Sequence, residues 1–169
     1  MKLKTTPADA WFSKCVRMRA NWTCEYCGVN LEYDRGSIDC SHFIGRSYKT
    51  VRYNPKNALA HCKDNINGCH SRLGGGRYSG GDPAEFVAHY DQIFGELDRE
   101  IIRIMSKYPF MNHDQYVHSI ADHYRKIYKD MEITRKGGFD GRIEFKNFSG
   151  APQITALEKD ILKRTYHNL

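Results

Sequence analysis

Two pairs of cysteines constrain the fold of this chain more than any other feature of its sequence. Cys24 and Cys27 are separated by two residues, and Cys62 and Cys69 by six. A CxxC turn brings two thiolates to one side of a metal with little strain, and four thiolates in a tetrahedral arrangement form a closed structural site. The spacing therefore predicts a structural Zn²⁺ bound by all four cysteines.

The six cysteines permit other interpretations. Three disulfides would need an oxidising compartment, and the basic N-terminus lacks the apolar stretch of a secretory signal. Buried free thiols are a second alternative, and His61 or His70 could replace a neighbouring cysteine as a zinc ligand. Cys15 and Cys40 lie outside the two pairs, and we expect both to pack in the core.

Length and charge narrow the class of protein. The 169 residues suit one domain, or a compact domain with an appendage. No apolar run approaches the ~18 residues of a membrane span, so we expect no membrane association and a cytoplasmic location. Residues 1–80 contain 13 Lys and Arg against 6 Asp and Glu, whereas residues 81–169 contain 13 against 14. A basic surface on the first half favours a polyanionic partner, although a merely solvated surface has the same charge.

Hydrophobic periodicity and turn residues predict an α+β fold. In the first half we expect a helix over residues 7–20, a strand over residues 37–44, and a turn over residues 52–57 that leads into a helix capped by Asn57. The glycine-rich run from residue 74 to residue 81 is the clearest candidate for a linker.

The second half is predicted to be mostly helical. One long amphipathic helix should run over residues 82–107, and another should carry an apolar face from residue 116 to residue 131 and end at Gly137. Residues 142–145 alternate like a short strand, and Pro152 opens a last helix. We therefore divide the chain into a core over residues 1–80 and a helical extension over residues 81–169, which packs on the core or forms a homodimer interface.

The residues between the cysteine pairs suggest chemistry. His42 lies on the predicted strand, Asn57 follows the turn, and His70 comes directly after the last cysteine, in the order His–Asn–His. Phosphodiester hydrolysis needs a base that deprotonates water and a cation that neutralises the leaving oxygen. His42 has the intrinsic pKa of such a base. Asn57 can orient the imidazole of His42 or the loop that carries this histidine. His70 offers a nitrogen ligand to a divalent metal.

These motifs resemble the HNH (ββα-metal) endonuclease superfamily, and within it the phage NinG/Rap recombination nucleases. The resemblance rests on the Asp-x-Ser-His-Phe run at residues 39–43, the Arg-Tyr-Asn-x-x-Asn run at residues 52–57, and the Cys-His ending at residues 69–70. It covers roughly residues 8–80. It implies a zinc-containing ββα-metal core and a DNA endonuclease that uses Mg²⁺ or Mn²⁺, acting on duplex or branched recombination intermediates of a phage.

The resemblance also implies site residues. His42 would be the general base, assisted by Asn57, and His70 a ligand of the catalytic metal. Many HNH sites have an acidic metal ligand directly before the catalytic histidine, but Ser41 stands there in this chain. Asp39, two residues earlier, is the substitute that we expect. Each side chain also has a structural explanation: a satisfied buried histidine, a helix cap, an idle surface histidine, or a salt-bridge partner.

Basic residues around this segment are candidates for contacts with DNA phosphates, which orient a duplex without reading its sequence. They are Arg46, Lys49, Arg52, Lys56, Arg72 and Arg77. Tyr48 and Tyr53 are interleaved with them and either stack on a partner or pack internally. The alternatives to a recombination nuclease are a homing, restriction or packaging HNH nuclease, and a non-catalytic zinc-finger module that binds nucleic acid.

Overall fold

The computed structural model describes residues 4–63, 68–73 and 81–166. Its first element is helix α1, Pro7–Arg19, which confirms the helix predicted there. The helix begins with a capping box: the Thr6 hydroxyl accepts from the Asp9 backbone N–H, and the Asp9 carboxylate accepts from the Thr6 backbone N–H. These contacts satisfy two backbone N–H donors that a helix start otherwise leaves unpaired.

A two-stranded antiparallel sheet follows α1. Strand β1, Ile38–His42, confirms the strand prediction and pairs with strand β2, Ala58–Cys62, so that His42 lies opposite Ala58 and Ile38 opposite Cys62. A 3₁₀ turn over Pro55–Asn57 leads directly into β2. The prediction that Asn57 caps a helix is therefore wrong. Pairing with β1 overrides the helix preference of the Ala-Leu-Ala sequence at the start of β2.

The short helix α2, Cys69–Arg72, comes after β2 in the chain. After α1, the strands and α-helices described in this half follow the order strand, strand, helix, and the prediction of an α+β fold is confirmed. The predicted linker lies at residues 74–81, of which residues 74–80 are outside the described part of the chain.

Helices make up the second half. Two helices, α3 (Pro83–Phe94) and α4 (Glu96–Ser106), occupy the segment predicted as one long helix. The single-helix prediction is wrong because Gly95 separates them with φ 89° and ψ 158°, a backbone conformation that essentially only glycine adopts. Apolar periodicity continues across the break, so the pattern alone did not reveal it.

The remaining helices are α5, His113–Lys136, and α6, Pro152–Tyr166, both as predicted although α5 begins earlier than its apolar face indicated. Residues 142–145 do not form a strand, which corrects that prediction. The Ile143 N–H instead donates to the Arg19 carbonyl at the end of α1. Among the described residues, no helix combines the length and the apolar character needed to cross a membrane.

The two halves of the chain share a hydrophobic core. Phe12 of α1 packs edge-on against Tyr124 of α5, with 5.2 Å between the ring centroids. The buried Cys15 thiol, which was expected in the core, donates to the Tyr124 carbonyl oxygen over 3.2 Å. Because α5 covers the apolar face of α1, the second half packs on the first and supports the helix that lies against β1.

Candidate functional site

The four cysteines predicted to bind zinc lie together. The sulfurs of Cys24, Cys27, Cys62 and Cys69 are all within 4.8 Å of one another, and Cys27 Sγ is 3.8 Å from Cys62 Sγ. A tetrahedral zinc site with Zn–S bonds of ~2.3 Å has sulfur–sulfur edges of ~3.8 Å. This cluster can therefore hold a structural metal such as zinc. Neither His61 nor His70 belongs to it.

Local backbone geometry brings the sulfurs together. Gly28 has φ 75°, which lets the chain turn sharply after Cys27, and its N–H donates to the Cys24 carbonyl over 2.9 Å. On the other side, the Cys69 backbone N–H points at Cys62 Sγ over 3.4 Å. Burial raises the pKa of the Cys24 thiol. A cation among the four sulfurs would hold them as thiolates, and this donor set fits Zn²⁺.

A polar cleft is lined by residues of α1, β1 and α2. It has a volume of about 280 Å³, and its lining includes Asp39 and His42 of β1, His70 of α2, and Arg46. These residues are up to 31 positions apart in the sequence. The fold therefore brings the predicted base and both predicted ligands of the catalytic metal to one cavity.

His42 is held in one tautomer. Its Nε2 lies 3.0 Å from the Arg52 carbonyl oxygen, which can only accept a hydrogen bond, so Nε2 carries the proton and Nδ1 keeps its lone pair. Burial lowers the pKa of His42 to about 4, and the nearby Arg46 adds to the shift. At neutral pH the ring is therefore uncharged and able to accept a proton.

Asn57 is fully buried and does not line the cleft. Its amide group bridges the loop that joins the two strands: Oδ1 accepts from the Ile44 N–H over 2.8 Å, and Nδ2 donates to the Ile44 and Val51 carbonyls over 2.9 and 3.0 Å. Of the two roles considered for this residue near the site, the geometry fits bracing the loop that follows His42. Among the described residues, the Asn57 amide forms no hydrogen bond with the His42 imidazole.

The residues proposed for the catalytic metal differ in their surroundings. His70 Nδ1 is buried and has no hydrogen-bond partner among the described residues. Burial lowers the pKa of His70, while the negative charge of Asp39 acts in the opposite direction. Ser41 is fully buried, so its hydroxyl is not available at the cleft. Carboxylates and imidazoles are both ligand types of divalent cations, and here one of each lines the same cavity.

The structure corrects the prediction for Arg52. Its side chain is 4% exposed and forms two hydrogen bonds with the Asp9 carboxylate, at 2.8 Å from Nε and 2.6 Å from Nη2. A guanidinium that is buried and paired in this way is not available to a phosphate. Its carbonyl, by contrast, is the group that orients His42.

Three other predicted phosphate contacts are exposed but paired. Lys49 Nζ lies 3.6 Å from Asp114 Oδ1. Lys56 Nζ lies 2.7 Å from Asp98 Oδ1, and Arg72 Nη2 lies 2.6 Å from Glu85 Oε1. Such surface pairs are weak and exchange readily with other anions.

The last two predicted contacts are Arg46 and Arg77. Arg46 lines the cleft together with His42. Arg77 is outside the described part of the chain, and its predicted role stays a prediction.

Sequence reasoning missed four residues of the cleft. Asp9 and Ser13 of α1 line it, and so do Gly45 and Cys40, of which Cys40 was expected in the core and is half-buried. Burial raises the pKa of the Cys40 thiol to about 12, so it stays protonated at neutral pH. The spacing of Asp9 and Ser13, one helical turn apart, was the available signal, because such residues share a helix face.

His61, considered above as an alternative zinc ligand, lies outside both the cysteine cluster and the cleft. It is fully buried, and neither ring nitrogen has a hydrogen-bond partner among the described residues. Burial lowers its pKa to about 3, so it is neutral. Its ring packs 5.4 Å from that of His89 and 5.6 Å from that of Phe86, between β2 and α3. This environment is that of an aromatic core residue.

The cleft thus combines a neutral imidazole of defined tautomer, two carboxylates, a second imidazole and a guanidinium. These groups can accept a proton, hold a cation and contact an anion. No family model, curated protein or solved structure significantly matches this chain.

Proposed function

We propose that this protein is a metal-dependent endonuclease of the HNH kind, which hydrolyses phosphodiester bonds in DNA. The observation that carries the proposal is the convergence of Asp39, His42 and His70 on one cleft, next to a cluster of four cysteines. A non-catalytic zinc-finger module would need the cysteines. Binding of nucleic acid by such a module does not require a histidine with one free ring nitrogen, placed beside a carboxylate and a second histidine.

His42 acts as the general base. Its Nε2–H is donated to the Arg52 carbonyl, which leaves Nδ1 to take a proton from the attacking water. Asn57 keeps the loop after His42 in place through its three hydrogen bonds, and Arg46 attracts the scissile phosphate into the cleft. This division gives Asn57 a positioning role.

Asp39 and His70 are the residues that would hold a divalent cation, Mg²⁺ or Mn²⁺. Such an ion supplies positive charge that neutralises the phosphate and the leaving 3′ oxygen. His70 Nδ1 forms no hydrogen bond with any described residue, so no other contact competes with a cation for this nitrogen. The cysteine cluster would hold Zn²⁺ and has a structural role only.

The test is a nicking assay on supercoiled plasmid with added Mg²⁺ or Mn²⁺. We expect cleavage by the wild type and a loss of roughly 100- to 10,000-fold in His42→Ala, the usual contribution of a general base. His118→Ala removes an exposed histidine on α5 and is the matched control, which should cut like the wild type. Equal rates for wild type and His42→Ala across metals would leave the binding module as the better explanation.

Branched DNA is the substrate that we propose within the nuclease class, as the family resemblance implies, with action in the cytoplasm of a phage-infected cell. The measurement compares the cleavage of a four-way junction with that of linear duplex of the same sequence. Faster cleavage of the junction supports a recombination role. Equal rates would favour a homing, restriction or packaging nuclease.

A further inference from the structure

A second cavity, separate from the cleft, lies where the loop between β1 and β2 meets the segment after α4. We call it the tyrosine groove. It has a volume of about 340 Å³, and its lining includes two tyrosines, two lysines and two serines: Tyr48, Tyr108, Lys49, Lys107, Ser47 and Ser106. None of the described residues that line it is acidic. The groove is thus aromatic, polar and positively charged.

Its two tyrosines are exposed although they are large. Tyr48 is 51% exposed and Tyr108 is 46% exposed, whereas the neighbouring Tyr53 is 4% exposed and packs in the core. Sequence analysis left open whether Tyr48 stacks on a partner or packs internally, and its exposure removes the second option. An exposed aromatic ring beside lysines is the usual means of binding an unpaired base together with its phosphate.

The loop residues that line the groove directly follow, in the sequence, the loop residues that line the cleft. Gly45 and Arg46 line the cleft, and the next three residues line the groove. Three residues span at most about 11 Å of extended chain, so a strand with a phosphate at Arg46 can reach the groove within a few nucleotides. The Thr50 hydroxyl donates to the Tyr108 carbonyl, which joins the two walls of the groove.

We propose that the tyrosine groove binds the unpaired bases and phosphates of a nucleic-acid strand that leaves the cleft. The inference rests on the proposed function and adds that the nucleic acid has a single-stranded segment beside the cut. Tyr48 and Tyr108 supply stacking surfaces, and Lys107 contacts a phosphate. Lys49 contacts a second phosphate after exchanging its exposed partner Asp114, 3.6 Å away.

The experiment measures binding of fluorescein-labelled dT12, of the RNA oligomer U12 and of a 12-base-pair duplex by anisotropy, without added Mg²⁺ or Mn²⁺. We expect Tyr48→Ala and Tyr108→Ala each to weaken single-strand binding by roughly 5- to 100-fold and to change duplex binding less than about twofold. Tyr48→Phe keeps the ring and should retain the affinity. Both substituted side chains are exposed, and the Thr50 contact uses the Tyr108 backbone, so the fold is expected to persist.

Tyr33→Ala is the matched control, because Tyr33 is fully exposed outside the groove. If Tyr33→Ala weakens dT12 binding as much as Tyr48→Ala, or if neither groove variant changes it, the inference is wrong. Stronger binding of dT12 or of U12 tells DNA from RNA, and either one supports the groove. Plasmid nicking is scored separately: binding through the tyrosines without cleavage refutes the nuclease proposal alone, and cleavage with unaltered binding in both groove variants refutes the groove alone.

Discussion

At the scale of single residues, the ion pair between Asp9 and Arg52 links the start of α1 to the proposed base. The Arg52 guanidinium donates hydrogen bonds to both carboxylate oxygens of Asp9, and the Arg52 carbonyl accepts a hydrogen bond from His42 Nε2–H. Thr6 donates two further hydrogen bonds to the same carboxylate. The position of the His42 ring therefore depends on a network that starts at a helix cap.

Asp9→Asn tests this network through stability and pH. Burial alone would raise the pKa of Asp9, but the hydrogen bonds from Arg52 and Thr6 outweigh it and lower the pKa below the ordinary value of 3.8. A carboxylate whose pKa is lowered in the folded state stabilises the fold at pH values above its ordinary pKa. This stabilisation is lost as the pH falls through the pKa of the folded state. Leaving the buried positive charge of Arg52 without its carboxylate partner should cost about 3 to 5 kcal/mol at pH 7.

The measurement is urea denaturation of wild type and Asp9→Asn between pH 7 and pH 3. The difference in unfolding free energy should be largest at pH 7 and should shrink below pH 3.8. Asp130→Asn, an exposed acid on α5, serves as the control and should leave stability within about 0.5 kcal/mol. A difference that stays constant over the whole range would mean that Asp9 does not act through its charge.

At the scale of elements, the cysteine cluster connects the CxxC turn of Cys24 and Cys27 with β2 and α2. If Zn²⁺ holds these three pieces, elemental analysis after dialysis should find about one zinc per chain, and Cys24→Ser should lose it together with cooperative folding. Cys40→Ala is the control, because this cysteine lies outside the cluster and should keep the metal. Zinc retained by Cys24→Ser at the wild-type level would contradict the assignment.

The break between α3 and α4 depends on one glycine. Gly95→Ala places a side chain on a backbone with φ 89° and should cost about 1 to 3 kcal/mol, measured as a shift in the urea midpoint. A Cβ at this position would meet no atom within 4 Å, so the cost is conformational and not a clash. Gly36→Ala, at a glycine without a positive φ, should be nearly neutral. If the two substitutions lower the urea midpoint equally, the loss of stability in Gly95→Ala does not come from the positive φ.

At the scale of the whole molecule, the helical second half completes the core beneath the site. Phe12 and Cys15 of α1 are covered by Tyr124 of α5, whose hydroxyl also donates to the Tyr53 carbonyl in the loop between the strands. The segments over residues 1–80 and 81–169 are therefore parts of one packed structure. The homodimer considered from the sequence stays a prediction.

A fragment that ends at residue 81 should not fold by itself. Removing α5 would expose the apolar face of α1, including Phe12, which is 1% exposed in the full chain. We expect the fragment to unfold without a cooperative transition in thermal circular dichroism, whereas the full chain should show one. A sharp transition in the fragment would mean that residues 1–80 form an independent domain.

The cysteine cluster and half of the residues that line the cleft could be predicted from the sequence, because this part of the site depends on residue type and spacing. The CxxC turn identified the cysteine cluster, and the His–Asn–His order identified the residues that border or brace the cleft. Long helices with regular apolar faces were also predictable, since their 3.6-residue period is a local property. Asp9 and Ser13 were not found, because nothing local shows which element will lie over β1.

Tertiary structure decided what depends on partners distant in the sequence. Residues 58–62 form a strand because β1 offers hydrogen bonds to them, and Arg52 is buried because Asp9 of α1 pairs with it. Asn57 braces a loop for the same reason: its amide meets backbone groups 6 and 13 residues away. The cysteine spacing thus determined which side chains could meet at a metal. The packing of α1 and α5 around the two-stranded sheet decided which of the other polar groups face the cleft and which are buried.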